Sequence, residues 1–239
     1  MIGSSLGDLD SLEDLVCWTV EQGLEVSVPS LRADSVTKPL LDCLVESGQR
    51  TLTIAPESGS ARLRKLMGKG LDESDIENAV DLAKKAGYGS LKLYFIVGLP
   101  EETNEDLKET VDMITKLART SGLRVTASVN PFIPKAQTRW EKEPQPPIEE
   151  IRRKVSFVEK GVRKISRVTV ETLDPRNARI QAALSLGDRT LGQVIRKASE
   201  YGGLGGWRRA EKETKIPFFS VANDPERLEG ELPWSFLNN

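Results

Sequence analysis

Residues 51–100, TLTIAPESGSARLRKLMGKGLDESDIENAVDLAKKAGYGSLKLYFIVGLP, constrain this chain more than any other stretch. Thr51 to Ala55 reads as a short apolar strand, and Pro56-Glu57-Ser58-Gly59-Ser60 as a polar, glycine-bearing turn. A short basic helix, a longer amphipathic helix and a second strand, Leu91 to Gly98, follow. An antiparallel strand with one wet face would alternate. LKLYFIVG hardly does, and so predicts a parallel strand covered on both sides. The helix before it is punctuated clearly. Asp72 is an N-cap with Asp75 three residues on, and Ile76, Ala79, Val80, Ala83 and Ala86 form one stripe. Lys84 and Lys85 sit at the negative end of the dipole, and Gly87 suits the left-handed position after it. The unit is β-α-β, and parallel α/β folds bind ligands at the carboxyl ends of strands.

The rest of the chain repeats the alternation. Residues 1–6 resemble the tail of a strand, residues 7–23 a helix ended by Gly23, and residues 24–30 a strand. Pro39 opens a helix with Leu40, Leu41, Leu44 and Val45 inward, stopped by Gly48. Thr103 caps a helix that ends at Gly122, and residues 124–130 form a strand. A proline-rich loop spans 131–147, a helix runs from Ile148 to Val162, and the strand RVTVET leads to Asp174-Pro175. A helix over 188–201 buries Leu191, Val194, Ile195 and Ala198, and 202–239 reads as a loosely packed tail whose GGLGGW is a hinge. Strands and helices at this spacing imply a parallel sheet with right-handed crossovers. Composition does not separate an open sheet from a barrel. The organisation expected is a partial barrel over 1–147, an extension over 148–201 and the tail over 202–239.

Charge and composition exclude several classes. The 239 residues carry a net charge of −2 with both signs interleaved. No basic block tracks phosphates, so nucleic acid gets no support. No apolar run approaches the roughly 20 residues that span a bilayer, and the N-terminus lacks a basic leader, so a cytoplasmic protein is expected. The chain has no histidine and two cysteines. Cys17 and Cys43 fall on apolar helix faces and read as small buried hydrophobes, too far apart for a disulfide framework. Any chemistry must come from carboxylates, Lys, Arg, hydroxyls or a cofactor. A Schiff-base lyase using Lys69 or Lys92 is the least supported version of such chemistry.

PESGSARLRKLMGKG followed by FIVGLPEET resembles the fourth- and fifth-strand segments of the radical SAM superfamily. SVPSLRAD and VNPFIPKAQTRW resemble the third and sixth strands of the branch that often carries an upstream cobalamin-binding domain. The resemblance covers roughly residues 1–215 and implies a partial (βα)6 TIM-like barrel with mostly parallel strands. It also implies S-adenosylmethionine and a 4Fe–4S cluster held by a three-cysteine C-x₃-C-x₂-C loop, with cobalamin possible. That loop is missing here, and Met1 to Ser5 align with the end of the family's second strand. The expectation is therefore an N-terminally truncated fragment, inactive by itself. The alternative is a non-catalytic SAM-binding module whose open barrel edge pairs with a partner chain.

The resemblance also implies site residues. Glu57 matches a polar position facing ribose and methionine, against the plainer reading of a solvated turn. Ser58, with Gly59 and Ser60, opens a helix whose free N–H groups suit a carboxylate; simple capping is the alternative. Lys69 matches a position that pairs with the cofactor carboxylate, or is an exposed lysine. Ser30 and Arg32 follow the third strand, and Arg32 pairs either with the cofactor or with Asp34. Gly98 and Pro100 end the fifth strand, beside adenine or as a plain turn. Asn130 and Phe132 line the adenine side. Gln137 and Arg139 depart from the family's PK-x-H-T-P pattern, which removes support for a substrate role of that loop.

Overall fold

The structure, a computed structural model, describes residues 6–224 and 228–236. The chain divides into two compact units. The first comprises residues 1–96, 102–130 and 155–172, and the second 97–101, 131–154 and 173–239. Of the strand tail expected over residues 1–6, only Leu6 lies within the described residues, and it begins a short 3-10 turn, Leu6–Asp8.

The first unit is built on a four-stranded sheet in the order β1 (Thr51–Glu57), β2 (Ser90–Val97), β3 (Arg124–Pro131), β4 (Val168–Glu171). β1 pairs parallel with β2, and β3 parallel with β4. The intervening helices are α1 (Leu12–Glu21), α2 (Lys38–Glu46), α3 (Ala61–Leu66), α4 (Glu73–Ala86) and α5 (Asn104–Ser121), and of α6 (Ile148–Val162) the residues from Val155 on belong to this unit. This α/β alternation is that of part of a TIM-like barrel. Local chemistry explains the boundaries. Asp72 and Asp75 form a reciprocal capping box on α4, and Thr103 and Asp106 form another on α5. Gly87 (φ 88°) and Gly122 (φ 70°) close the two helices in the left-handed region, where a Cβ is unfavourable.

Three expectations are corrected in this unit. β2 is parallel, yet its two faces differ: Leu91, Leu93, Phe95 and Val97 are buried, whereas Lys92, Tyr94 and Ile96 are half-buried. Residues 24–30 make no strand ladder. The Val26 N–H donates to Ser47 Oγ and the Val28 N–H to Gln49 Oε1, so side chains take donors that a strand would use. Leu31 alone bridges to Ile54 of β1. Finally, Cys17 on α1 and Cys43 on α2 are half-buried and joined by a disulfide, with Cα atoms 5.3 Å apart. The helices pack side by side, and a separation of 26 positions in sequence says nothing about distance in space.

The second unit contains α7 (Pro175–Leu186), α8 (Gly192–Tyr201) and α9 (Gly203–Thr214). α7 was not expected from the sequence, although its start signal is present: Asp174 accepts from the Arg176 N–H, and Pro175 occupies the first turn. The helix expected over 188–201 begins instead as a 3-10 turn, Arg189–Leu191, capped by Asp188. Its Ile195 is 44% exposed, not inward. The tail and hinge expected over 202–239 are corrected as well. GGLGGW opens α9, and Ala210, Phe218, Val221, Ala222 and Leu228 share one core with Ile180, Leu186 and Val194. Small residues make this possible: a Cβ on Gly206 would lie 3.1 Å from Tyr201 and 3.2 Å from the Ala198 carbonyl. Trp207 stacks on Phe218 at 4.9 Å. The boundary expected at 201 therefore does not separate an extension from a loosely packed tail; residues on both sides of it bury one apolar cluster. Among the described residues no helix is long and apolar enough to cross a membrane.

Candidate functional site

A cleft of about 210 Å³ opens in the first unit at the carboxyl end of β1. Ser30, Leu31, Arg32, Ala55, Glu57, Lys69 and Leu71 line it, with Gly7 nearby. Four residues singled out from the sequence, Ser30, Arg32, Glu57 and Lys69, are thus brought together.

Glu57 is the last residue of β1 and holds φ 69°, a left-handed conformation uncommon for a residue with a Cβ. The β1–β2 register shifts between Ile54 and Glu57, so the bulge re-aims the strand end. Strained backbone of this kind clusters at ligand clamps and active sites. The Glu57 carboxylate accepts from Lys69 Nζ at 3.0 Å. Arg32 donates through Nε and Nη2 to Asp34, at 3.0 and 2.6 Å. The Arg32 guanidinium holds the Asp34 carboxyl below its ordinary range against the opposing effect of burial, and Lys69 contributes further. The alternative pairing of Arg32 with Asp34 is therefore present, on a side chain that also lines the cleft. Two cations, Arg32 and Lys69, and the Glu57 carboxylate line one polar opening.

The turn that presents Glu57 is held from beneath by a residue that sequence reasoning missed. Arg64 of α3 is 2% exposed. Its Nη1 donates to the carbonyls of Ser58 (3.0 Å) and Gly59 (2.8 Å), and its Nε to the carbonyl of Leu71 (2.9 Å). One rigid guanidinium fork thereby ties the turn after β1 to the loop before α4. Burial pushes its pKa down, against Glu73, Asp72 and Glu109. In a basic helix, nothing local marks this arginine as the buried one.

Gly59 is the second missed feature. A Cβ there would lie 2.3 Å from Thr110 Cα and 2.5 Å from the Glu109 carbonyl, so only glycine lets the turn lie on α5. The Gly59 N–H donates to Thr110 Oγ1 at 3.0 Å, and the Ser60 N–H to Ser58 Oγ at 3.1 Å. These two N–H groups, considered for an anion, are satisfied within the chain. Ser58 itself is buried in the turn. Asp106 completes the support: it accepts from the Thr103 N–H, the Thr103 hydroxyl and Arg62 Nη2, the last at 2.6 Å.

Gly98 and Pro100 belong to the second unit. Gly98 has φ 81°, and a Cβ would approach Pro146 to 3.3 Å, so glycine is required at this strand end. Asn130 Nδ2 donates to Ser128 Oγ at 3.2 Å. Phe132 is buried edge-on to Trp140 at 6.1 Å. Lys92 is ion-paired to Glu171 at 2.9 Å, and that hydrogen bond raises its pKa, the opposite of what a nucleophilic amine needs.

A 4Fe–4S cluster requires three thiolates, and the residues of this chain do not fit that group. Its two cysteines are joined to each other, and among the described residues no group of three or more Cys, Asp or Glu side chains could hold a metal ion.

Comparisons with known proteins bear on this geometry. Residues 8–114 match the Radical SAM superfamily. The chain is 38% identical over 199 residues to an uncharacterized protein of Methanocaldococcus jannaschii, covering 82% of this chain and 42% of that protein. It is 33% identical over 98 residues to an uncharacterized methyltransferase of Pyrococcus horikoshii, 41% of this chain and 21% of the relative. The chain thus spans less than half the length of these relatives.

Proposed function

Residues 8–114 of this chain are a radical SAM superfamily domain, and from that premise we propose that the cleft at the end of β1 holds the methionyl part of S-adenosylmethionine. When bound, that cofactor supplies an electrophilic methyl group or, after one-electron reduction, a carbon-centred radical. The observation that carries the reading is Glu57, held at φ 69° with its carboxylate on Lys69 in a cleft shared with Arg32 and Ser30. A zwitterionic amino acid head matches this set. Its ammonium replaces Lys69 as partner of Glu57, and its carboxylate takes Lys69 or Arg32. At about 210 Å³ the cleft is smaller than pockets that enclose a whole cofactor-sized ligand, so it suits one end of the molecule.

The reaction proposed for the whole protein is methyl transfer or radical chemistry on an unidentified substrate, with cobalamin as a methyl carrier in the first case. The methyltransferase name of the Pyrococcus horikoshii relative favours the first. The test is calorimetric titration of S-adenosylmethionine into this chain and into Glu57→Gln and Lys69→Ala. Saturable binding, weakened about tenfold in each variant, is expected. Absence of binding, or affinity in both variants equal to that of the parent chain, overturns the assignment.

A further inference from the structure

The second unit holds a cavity of about 640 Å³ that has no part in the proposal above. Its size is that of a pocket for a small organic ligand. Ile148, Ile180, Leu204 and Phe219 supply an apolar wall, and Arg176, Arg179 and Arg208 supply charge.

The three arginines differ. Arg176 is matched by Asp174, which accepts from its Nη2 at 2.6 Å. Arg208 is exposed and has no ion-pair partner among the described residues. Arg179, on α7, is 6% exposed. Its Nη2 donates to the Pro146 carbonyl at 2.7 Å and its Nη1 to Asn223 Oδ1, both neutral acceptors. Its Nε has no acceptor. Burial alone pushes its pKa down, with no carboxylate offsetting it. A guanidinium stays protonated even so, and a buried charge without a counter-charge is unfavourable. The carboxylate in the wall, Glu211, already accepts from the Phe219 N–H at 2.9 Å. The cavity therefore joins a surplus positive charge, part of it desolvated, to an apolar surface.

We propose that this cavity binds an organic anion, with a carboxylate or phosphate monoester head set against Arg179 and Arg208 and an aliphatic or aromatic body on the Ile148, Ile180, Leu204 and Phe219 wall. Either head presents the same chemistry, oxygens that accept from guanidinium. The site needs nothing from the cleft at β1, so the two readings stand or fall separately.

The test is calorimetric titration of the full chain with four probes below their micelle concentrations: octanoate, octyl phosphate, octanol and inorganic phosphate. Octanoate or octyl phosphate binds at least about tenfold more tightly than octanol and than inorganic phosphate, and the preferred head tells which anion the site takes. Arg208→Gln lowers that affinity about fivefold, with thermal stability unchanged, because the side chain is exposed and has no ion-pair partner among the described residues. Arg179→Met could fail to fold, so Gly205→Leu is the second variant. A Cβ at Gly205 meets nothing within 4 Å, and a leucine there fills the cavity while favouring the helix. It abolishes binding without loss of stability. Equal affinity for octanol and the anions, or unchanged binding in both Arg208→Gln and Gly205→Leu, overturns the proposal.

Discussion

Lys69 Nζ lies 3.0 Å from Oε1 of Glu57, and Glu57 holds that position from a left-handed backbone. The same residue thus carries the strain of the strand end and the anion of the cleft. The pair is about three-quarters buried on each side, so the ion pair contributes on the order of 1 kcal/mol.

Replacing Glu57 by glycine separates these roles. Glycine relieves the left-handed backbone by about 1 kcal/mol and loses an ion pair of similar size. The expected change in urea-unfolding free energy is under about 1 kcal/mol, while affinity for S-adenosylmethionine falls at least tenfold. A Glu57→Gly protein that binds as the parent does removes Glu57 from the site.

Gly59→Ala tests the approach of the turn to α5. Its Cβ would meet backbone at 2.3 Å, which a side-chain rotation cannot relieve. The turn must shift, at a cost of about 2–3 kcal/mol in a urea melt. Because the same turn presents Glu57, ligand affinity falls with stability.

Asp106→Asn should be pH-dependent. Burial raises the carboxyl's pKa, but Arg62, Ser60 and Thr103 outweigh it and hold the group well below the ordinary carboxylate range. A depressed folded-state pKa stabilises the fold above the unfolded value, near 3.9, and that contribution is lost as pH falls toward the folded value. At pH 7 the variant is expected to be about 1–3 kcal/mol less stable. The difference from the parent narrows in unfolding curves recorded at pH 3. A constant gap between the two pH values contradicts the assignment.

The Cys17–Cys43 bond closes a loop across 26 positions. Alkylation of the denatured, unreduced protein is expected to add no label. Reduction is expected to lower stability by about 3 kcal/mol through the freed unfolded chain. Two labelled thiols before reduction would show the bond to be absent.

The parts legible in the sequence are those decided within a few residues. The Asp72–Asp75 and Thr103–Asp106 boxes, the glycines at 87 and 122, and the apolar stripe of α4 are set by hydrogen bonds and periods inside one turn or one helix. The parallel β-α-β order and four cleft residues followed from those signals together with the motif resemblance. What the sequence hid was long-range. Lys92, Tyr94 and Ile96 look as buried as their neighbours until one face of β2 is left half-covered. GGLGGW looks like a hinge until the missing side chain at Gly206 lets α9 pack on α8. Arg64 looks like any basic residue of a short helix until three carbonyls from two loops close around it. Cys17 and Cys43 look unrelated until two helices lie side by side. The sequence by itself determined the elements, their ends and the kind of residue at each strand terminus, because those depend on neighbours along the chain. Only the tertiary structure decided which of those residues are buried, paired or joined, because that depends on which surfaces exclude water from one another.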